Sequence, residues 1–204
     1  HTALARARTL RGDGDNATAR LEEQIASRPQ DLGLRLACID ALHRAGRYDK
    51  ALDVTNNALA LAPDHQALLT AHGVVLDELN QPTQGLVSLR RVAELAGHTP
   101  ASLRNMLSTL IRAGQAEEAL RITRALLQKQ PDEQYLVATE ALALRVLRDP
   151  AYRTLYDYDR YVRRYDIPAP RNFFTVENFN AAFANVLRRQ HRFTADPFDQ
   201  SLHN

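Results

Sequence analysis

Apolar residues recur on a helical period along most of the chain. Leu52, Ala58 and Leu59 fall on one face of one segment, and Leu120, Leu126 and Leu127 repeat the pattern two 34-residue steps later. The spacing predicts helix pairs at 31–45 with 48–61, 65–79 with 82–96, and 99–113 with 116–129. A partial pair at about 2–11 and 15–28 precedes them, and a helix over 133–148 follows. Asp149-Pro150 then opens a further helix, with proline in its first turn, that carries Tyr152, Tyr156, Tyr158, Tyr161 and Tyr165. Ile167-Pro168-Ala169-Pro170 reads as a stiff extended stretch. Thr175-Val176-Glu177-Asn178 starts a last helix, which runs through Phe179, Phe183 and Leu187 to about His191.

The turns between helices keep their own period. Gly12, Gly46, Asn80 and Gly114 stand 34 residues apart; so do Ala17, Ala51, Gly85 and Ala119, and again Pro29, Pro63, Gly97 and Pro131. Each column has a physical reason. Glycine or asparagine ends the first helix of a pair because a left-handed residue costs them little. A small residue sits where the two helices cross closely, and proline stops the second helix. The runs Arg44-Ala45-Gly46-Arg47-Tyr48-Asp49-Lys50-Ala51 and Ile111-Arg112-Ala113-Gly114-Gln115-Ala116-Glu117-Glu118-Ala119 carry all of this. The pattern resembles the tetratricopeptide repeat, a helix–turn–helix unit.

That resemblance implies an all-α fold: a solenoid of antiparallel helix pairs wound into a right-handed superhelix with a concave groove. The domains expected are a solenoid over 1–131, aromatic-rich capping helices over 132–192, and an extended lead-in over 193–204. In this family the first helix of each pair lines the groove, which by analogy turns Asp40, His43, Thr70, Asp77, Arg104, Ser108 and Arg112 inward. These are the candidate contacts for a protein or peptide partner, with solvated surface polarity as the alternative. The family's clamp for acidic chaperone tails needs Lys and Asn on the first groove helix. Leu36 and Asp40 stand there instead, so no such tail is expected to bind.

Composition narrows the classes. The 204 residues are 45% apolar and 25% charged with a net charge of +2, which is ample for a core and too balanced to favour nucleic acid. No apolar run is long enough to span a membrane. The single Cys38 rules out an internal disulfide or a cysteine zinc cluster. No signal peptide is visible among the first residues, so a cytoplasmic location is expected. Of 13 aromatic residues, 12 lie between Tyr135 and Phe198. They either cover the open end of the stack or form a docking surface, with Tyr156, Tyr158, Tyr161, Phe179 and Phe183 as candidates. Base stacking is the weakest option: from Arg145 to Arg192 there are ten arginines against five acids, a modest excess.

The C-terminal segment has a resemblance of its own. Asp157-Tyr158-Asp159-Arg160-Tyr161-Val162, Tyr165-Asp166-Ile167-Pro168 and Phe179-Asn180-Ala181-Ala182 are followed by Asp196-Pro197-Phe198-Asp199-Gln200-Ser201-Leu202-His203. This resembles the approach to the catalytic domain of 2-oxoglutarate/Fe(II) oxygenases that carry N-terminal tetratricopeptide repeats, whose segment reads Pro-Leu-Asp-Gln-Ser-Leu-Arg. Phe198 and His203 depart from it. The resemblance implies the N-terminal arm of an oxygenase-like protein whose catalytic domain lies outside this chain, docked on the aromatic segment. Fe(II) and 2-oxoglutarate would belong to that domain. The alternative is a free-standing adaptor with no catalytic half.

No chemistry is expected within the chain itself. The oxygenase iron site needs a His-x-Asp/Glu pair, and no histidine here supplies one; His191 with Asp196 and Asp199 is at most surface polarity. There is no phosphate-cradling glycine loop, and Gly12-Asp13-Gly14-Asp15 lacks the glutamate that would complete a calcium loop. Cys38, beside Leu36 and Ile39, reads as a buried structural thiol. The expectation is therefore an interaction module with no catalytic or metal residues and no cofactor.

Overall fold

A computed structural model describes residues 14–190. These residues fall into two compact units, one ending at Tyr156 and the other starting at Asp157. Every regular element described is helical. The first unit contains α1 (Gly14–Ser27), α2 (Leu32–Arg44), α3 (Tyr48–Leu59), α4 (Gln66–Glu78), α5 (Pro82–Leu95), α6 (Pro100–Arg104), α7 (Leu107–Arg112), α8 (Ala116–Leu127), α9 (Gln134–Val146) and α10 (Tyr152–Leu155). Helices adjacent in sequence pack together as antiparallel pairs, α2 with α3, α4 with α5, and α6–α7 with α8, so the expected solenoid is present. The predicted helix at 2–11 lies outside the described residues.

The glycine column does what its chemistry requires. Gly46, Asn80 and Gly114 have φ of 68°, 59° and 76°, and each closes a first helix. In each case the following N–H reaches back to a carbonyl five residues earlier: Arg47 to Leu42 at 2.9 Å, Gln81 to Leu76 at 2.8 Å and Gln115 to Leu110 at 2.8 Å. The period does not stop at Pro131. Arg148 occupies the next position with φ of 59°, and the Asp149 N–H bonds to the Leu144 carbonyl at 2.9 Å. Hence α9 is the first helix of another repeat. Its second helix fails at the small-residue column, where Arg153 replaces alanine or glycine, and α10 ends after a single turn.

A fourth column, not read from the sequence, sets the start of the first helix in each pair. Asp31, His65, Thr99 and Glu133 are 34 residues apart, and each accepts a hydrogen bond from the N–H three residues on: Leu34 (3.0 Å), Leu68 (3.4 Å), Ser102 (3.4 Å) and Leu136 (2.8 Å).

Two helix expectations need correction. The predicted helix 99–113 is divided at Asn105–Met106, where the Met106 N–H bonds to Leu103 in a tightened turn. The tyrosine segment is not one helix either. Asp157 caps a new start, its Oδ1 accepting from the Arg160 N–H at 3.0 Å, so α10 stops at Leu155 and α11 spans only Tyr158–Tyr161. Tyr165 and the Ile167–Pro170 stretch lie outside any helix. The second unit closes its described part with α12 (Val176–Gln190), as expected.

The core is aliphatic and threads between the helix layers: Leu42, Leu68, Leu89, Leu107, Leu110 and Leu136 are all almost wholly buried. Ala51 and Ala119 are 0% exposed, as helix crossings demand. The crossing of α4 and α5 is the closest. A Cβ built on Gly85 would meet the Gly73 carbonyl oxygen at 2.7 Å, and one on Gly73 would meet Leu89 Cγ at 2.6 Å.

Candidate functional site

The first helices α2 and α4 leave between them a hollow of about 460 Å³. Its apolar lining comes from Leu36, Ile39, Ala67, Ala71, Val74 and Val75, and its polar lining from Asp40, His43 and Thr70. Three of the seven groove candidates thus meet in one place. Helical geometry explains it: Leu36, Ile39, Asp40 and His43 are three and four residues apart on α2, and Ala67, Thr70, Ala71 and Val74 repeat that on α4. Val74 is 38% exposed although aliphatic, so the hollow presents apolar surface to water.

The rim is partly neutralised. Asp40 holds Arg44 through Nε at 3.0 Å, and the Thr70 hydroxyl donates to the Gln66 carbonyl at 2.9 Å. His43 Nε2 faces Glu78 Oε1 at 3.9 Å and has no hydrogen-bond partner, while its ring leans on Tyr48 with centroids 5.4 Å apart.

Three of the four remaining candidates, Asp77, Arg104 and Arg112, serve the stack itself. Arg112 places Nε 3.2 Å from Asp77 Oδ1 and donates from Nη2 to the Asp77 carbonyl at 2.8 Å, while the Thr109 hydroxyl donates to Asp77 Oδ2 at 3.3 Å. This is the His43–Glu78 contact moved one repeat along, since both pairs join residues 35 apart across consecutive first helices. At the next step the corresponding residues are Ile111 and Val146, both aliphatic, so no ion pair can form there. Arg104 donates to Glu133 Oε1 at 2.9 Å and lies 4.8 Å above the centre of the Tyr135 ring. Ser108 is exposed and stands apart from the hollow.

In the C-terminal unit Phe179 forms a short aromatic row, edge-on to Phe173 at 5.2 Å and stacked with Phe183 at 5.6 Å. Tyr158 and Tyr161 are 65% and 62% exposed, and Tyr156, which follows α10, is exposed as well. Phe183 and Val186 also face water from α12. Residues 191–204, with the His191, Asp196 and Asp199 group and the Pro197–Leu202 segment, lie outside the described residues.

Among the described residues no three His, Cys, Asp or Glu side chains are grouped as metal ligands, and no helix is long and apolar enough to cross a membrane. Cys38 is buried, and burial, with Glu22 adding, pushes its thiol up to about 11 against the opposing pull of Arg35. A thiol so protonated at neutral pH is a poor nucleophile. Burial also lowers the pKa of His72, whose Nδ1 shares a 2.7 Å hydrogen bond with the Ser88 hydroxyl.

The candidate list, drawn from polar residues alone, omitted the apolar half of the hollow. The signal was present: Asp40, Val74, Ser108 and Leu142 form one 34-residue column, and Val74 and Leu142 are exposed.

Comparison with known proteins agrees with this architecture. Residues 9–73 match a family model described as tetratricopeptide repeat. A tetratricopeptide repeat protein from Parabacteroides merdae is similar in structure, with a TM-score of 0.66 at 16% identity over 93% of this chain and 70% of that one. MamA from Desulfovibrio magneticus gives 0.64 at 18% identity, covering 79% and 94% of the two chains. YrrB, described as a tetratricopeptide protein with an unusual peptide-binding site, gives 0.60 at 18% identity over 77% and 82%. These likenesses establish the fold: the helix-pair stack is a tetratricopeptide-type solenoid. Cellulose synthase operon protein C of Xanthomonas axonopodis pv. citri is 29% identical over 144 residues, 64% of this chain. The match spans only 10% of that protein's length.

Proposed function

We propose that this chain is a protein-interaction module that binds an extended peptide segment across its first-helix layer, at the hollow between α2 and α4. The observation that carries the reading is an open, apolar-floored cavity of about 460 Å³, lined by Leu36, Val74 and Val75 with Asp40, His43 and Thr70 at its edge. Apolar side chains fill such a floor, and the polar groups fix the orientation of the bound chain. The peptide-binding site named for YrrB supports the reading by analogy of fold. The hydrogen-bonded His72–Ser88 pair is enclosed in the stack, with Ser88 only 7% exposed, and offers no accessible nucleophile.

Peptides selected by phage display against the chain, with affinities taken by calorimetry, test this. Val74→Glu should weaken the selected peptides by about tenfold or more, since a charge on the floor must be desolvated. The melting curve should not move, because Val74 is exposed. Full affinity in both Val74→Glu and Leu36→Glu would discard the groove.

A finer reading adds a catalytic partner. The Pro197–Leu202 segment supports this module being the N-terminal arm of a 2-oxoglutarate/Fe(II) oxygenase-like protein, with Tyr156, Tyr158, Tyr161, Phe179 and Phe183 docking the catalytic domain. Fe(II) and 2-oxoglutarate would be bound there. A reading frame that continues past Asn204 into a β-rich segment with His-x-Asp/Glu, in a protein that binds iron, would support it. A frame without that segment leaves the free-standing adaptor.

A further inference from the structure

The layer of second helices holds another hollow, of about 540 Å³, between α5 and α8. Leu103 and Met106 form its floor, and Ala93, Ile122 and Leu126 its walls. The 34-residue period allows a comparison of this place with the same place one repeat earlier.

In the earlier repeat a salt bridge joins α5 to the turn ahead of α4, Arg91 Nε lying 2.9 Å from Asp64 Oδ1. The corresponding residues here are Ala125 and His98, so the bridge is gone. The interior also changes. His72 and Ser88, joined by a hydrogen bond, become Met106 and Ile122. The rim changes in the opposite sense, from Val87 and Leu95 to Arg121 and Lys129. The mouth is shaped by consecutive left-handed residues, Gly97 at φ 65° and His98 at φ 56°, where the other repeats place proline. A left-handed non-glycine residue is held at a cost in strain.

Charge on the rim does not cancel. Arg90 is bonded to Glu118 and Gln115, at 2.7 Å each, and Glu94 to Arg91 at 3.2 Å. Among the described residues Arg121 and Lys129 have no hydrogen-bond or ion-pair partner. Arg91 is shared between Glu94 and Asp64, so the excess is one positive charge, carried on the side of Arg121 and Lys129. An apolar pit beneath these two cations complements one chemical class, and its volume lies in the roughly 300–1,000 Å³ range of small-molecule sites.

We propose that this hollow binds a small amphipathic carboxylate, its apolar body against Leu103, Met106 and Ile122 and its carboxylate between Arg121 and Lys129. Charge-assisted hydrogen bonds from a guanidinium and an ammonium hold the anion, and burial of the chain drives the rest. The site belongs to the other helix layer and does not rest on the peptide reading.

Met106 is the chain's one methionine and provides the probe. In protein labelled with ¹³C at the methionine methyl, octanoate should shift the Met106 signal saturably. Octanol, which keeps the body and lacks the charge, and acetate, which keeps the charge and lacks the body, should bind about tenfold more weakly or worse. Arg121→Gln with Lys129→Gln should weaken octanoate by about tenfold and leave octanol unchanged. His98→Asp with Ala125→Arg, which rebuilds the earlier repeat's bridge, should abolish the shift in a protein that melts no lower. The proposal falls if octanol matches octanoate, if neither moves the signal, if both double variants bind octanoate normally, or if only acidic peptides bind.

Discussion

The pair α4–α5 and the pair formed by α6–α7 with α8 are successive copies of one unit, yet they solve the crossing of their helices differently. In the first, Gly73 and Gly85 bring backbone against backbone, and the carbonyl of Gly73 fills the space a Cβ on Gly85 would take. In the second the same positions hold Leu107 and Ala119, both fully buried. The first is a continuous helix pair, whereas the second has a divided first helix, and the hollow of about 540 Å³ lies between the two pairs, against α5 and α8. The lesson is that the period fixes where helices start, stop and cross, while the residues at the crossing decide whether backbone or side chain fills it.

Substitutions can break that contrast, and the largest effect belongs to the tight crossing. Gly85→Leu should cost about 3 kcal/mol in urea denaturation, because backbone cannot yield as a side chain can. Tolerance of the leucine would mean the crossing is loose after all. Ala119→Gly should cost about 1–2 kcal/mol, from a lost buried methyl and a poorer helix former; a gain would show that pair to be strained instead.

Two smaller tests sharpen the comparison. Thr55 and Thr123 occupy one column and are both wholly buried, but only the Thr55 hydroxyl bonds, to the Ala51 carbonyl at 2.6 Å, whereas the Thr123 hydroxyl has no partner. Thr123→Val should therefore stabilise by about 1 kcal/mol, and Thr55→Val should not. Equal responses would refute the distinction.

The least effect concerns pH. Burial holds the His72 pKa below its ordinary value, so the unfolded chain takes up the proton first. Wild-type stability should fall relative to His72→Met as pH drops through about 6.5. A difference that stays constant between pH 7.5 and pH 5 would separate His72 from the titration.

Much of the fold was legible because its punctuation is chemically restricted. Only glycine or asparagine tolerates the left-handed turn cheaply, so Gly46, Asn80 and Gly114 stand out. Arg148 adopts the same turn without the composition that advertises it, and the repeat it closes was missed. The capping column escaped for a related reason: Asp31, His65, Thr99 and Glu133 share an acceptor atom, not a residue type. The division at Asn105–Met106 has no breaker residue to mark it. As for the candidate site, polarity led to Asp77, Arg104 and Arg112, whose charges are engaged between repeats. The apolar surface at Leu36 and Val74 becomes visible only once two first helices stand side by side.

The Gly73–Gly85 contact also constrains how this sequence can drift. A methyl at either position meets its partner's carbonyl or Leu89, so neither glycine can be exchanged while the other helix stays where it is. The large-with-small solution at Leu107 and Ala119 is reachable only if the helices separate first, which passes through a poorly packed intermediate. The two sites are thus bound as one unit of inheritance: a viable descendant keeps both glycines or replaces the crossing as a whole.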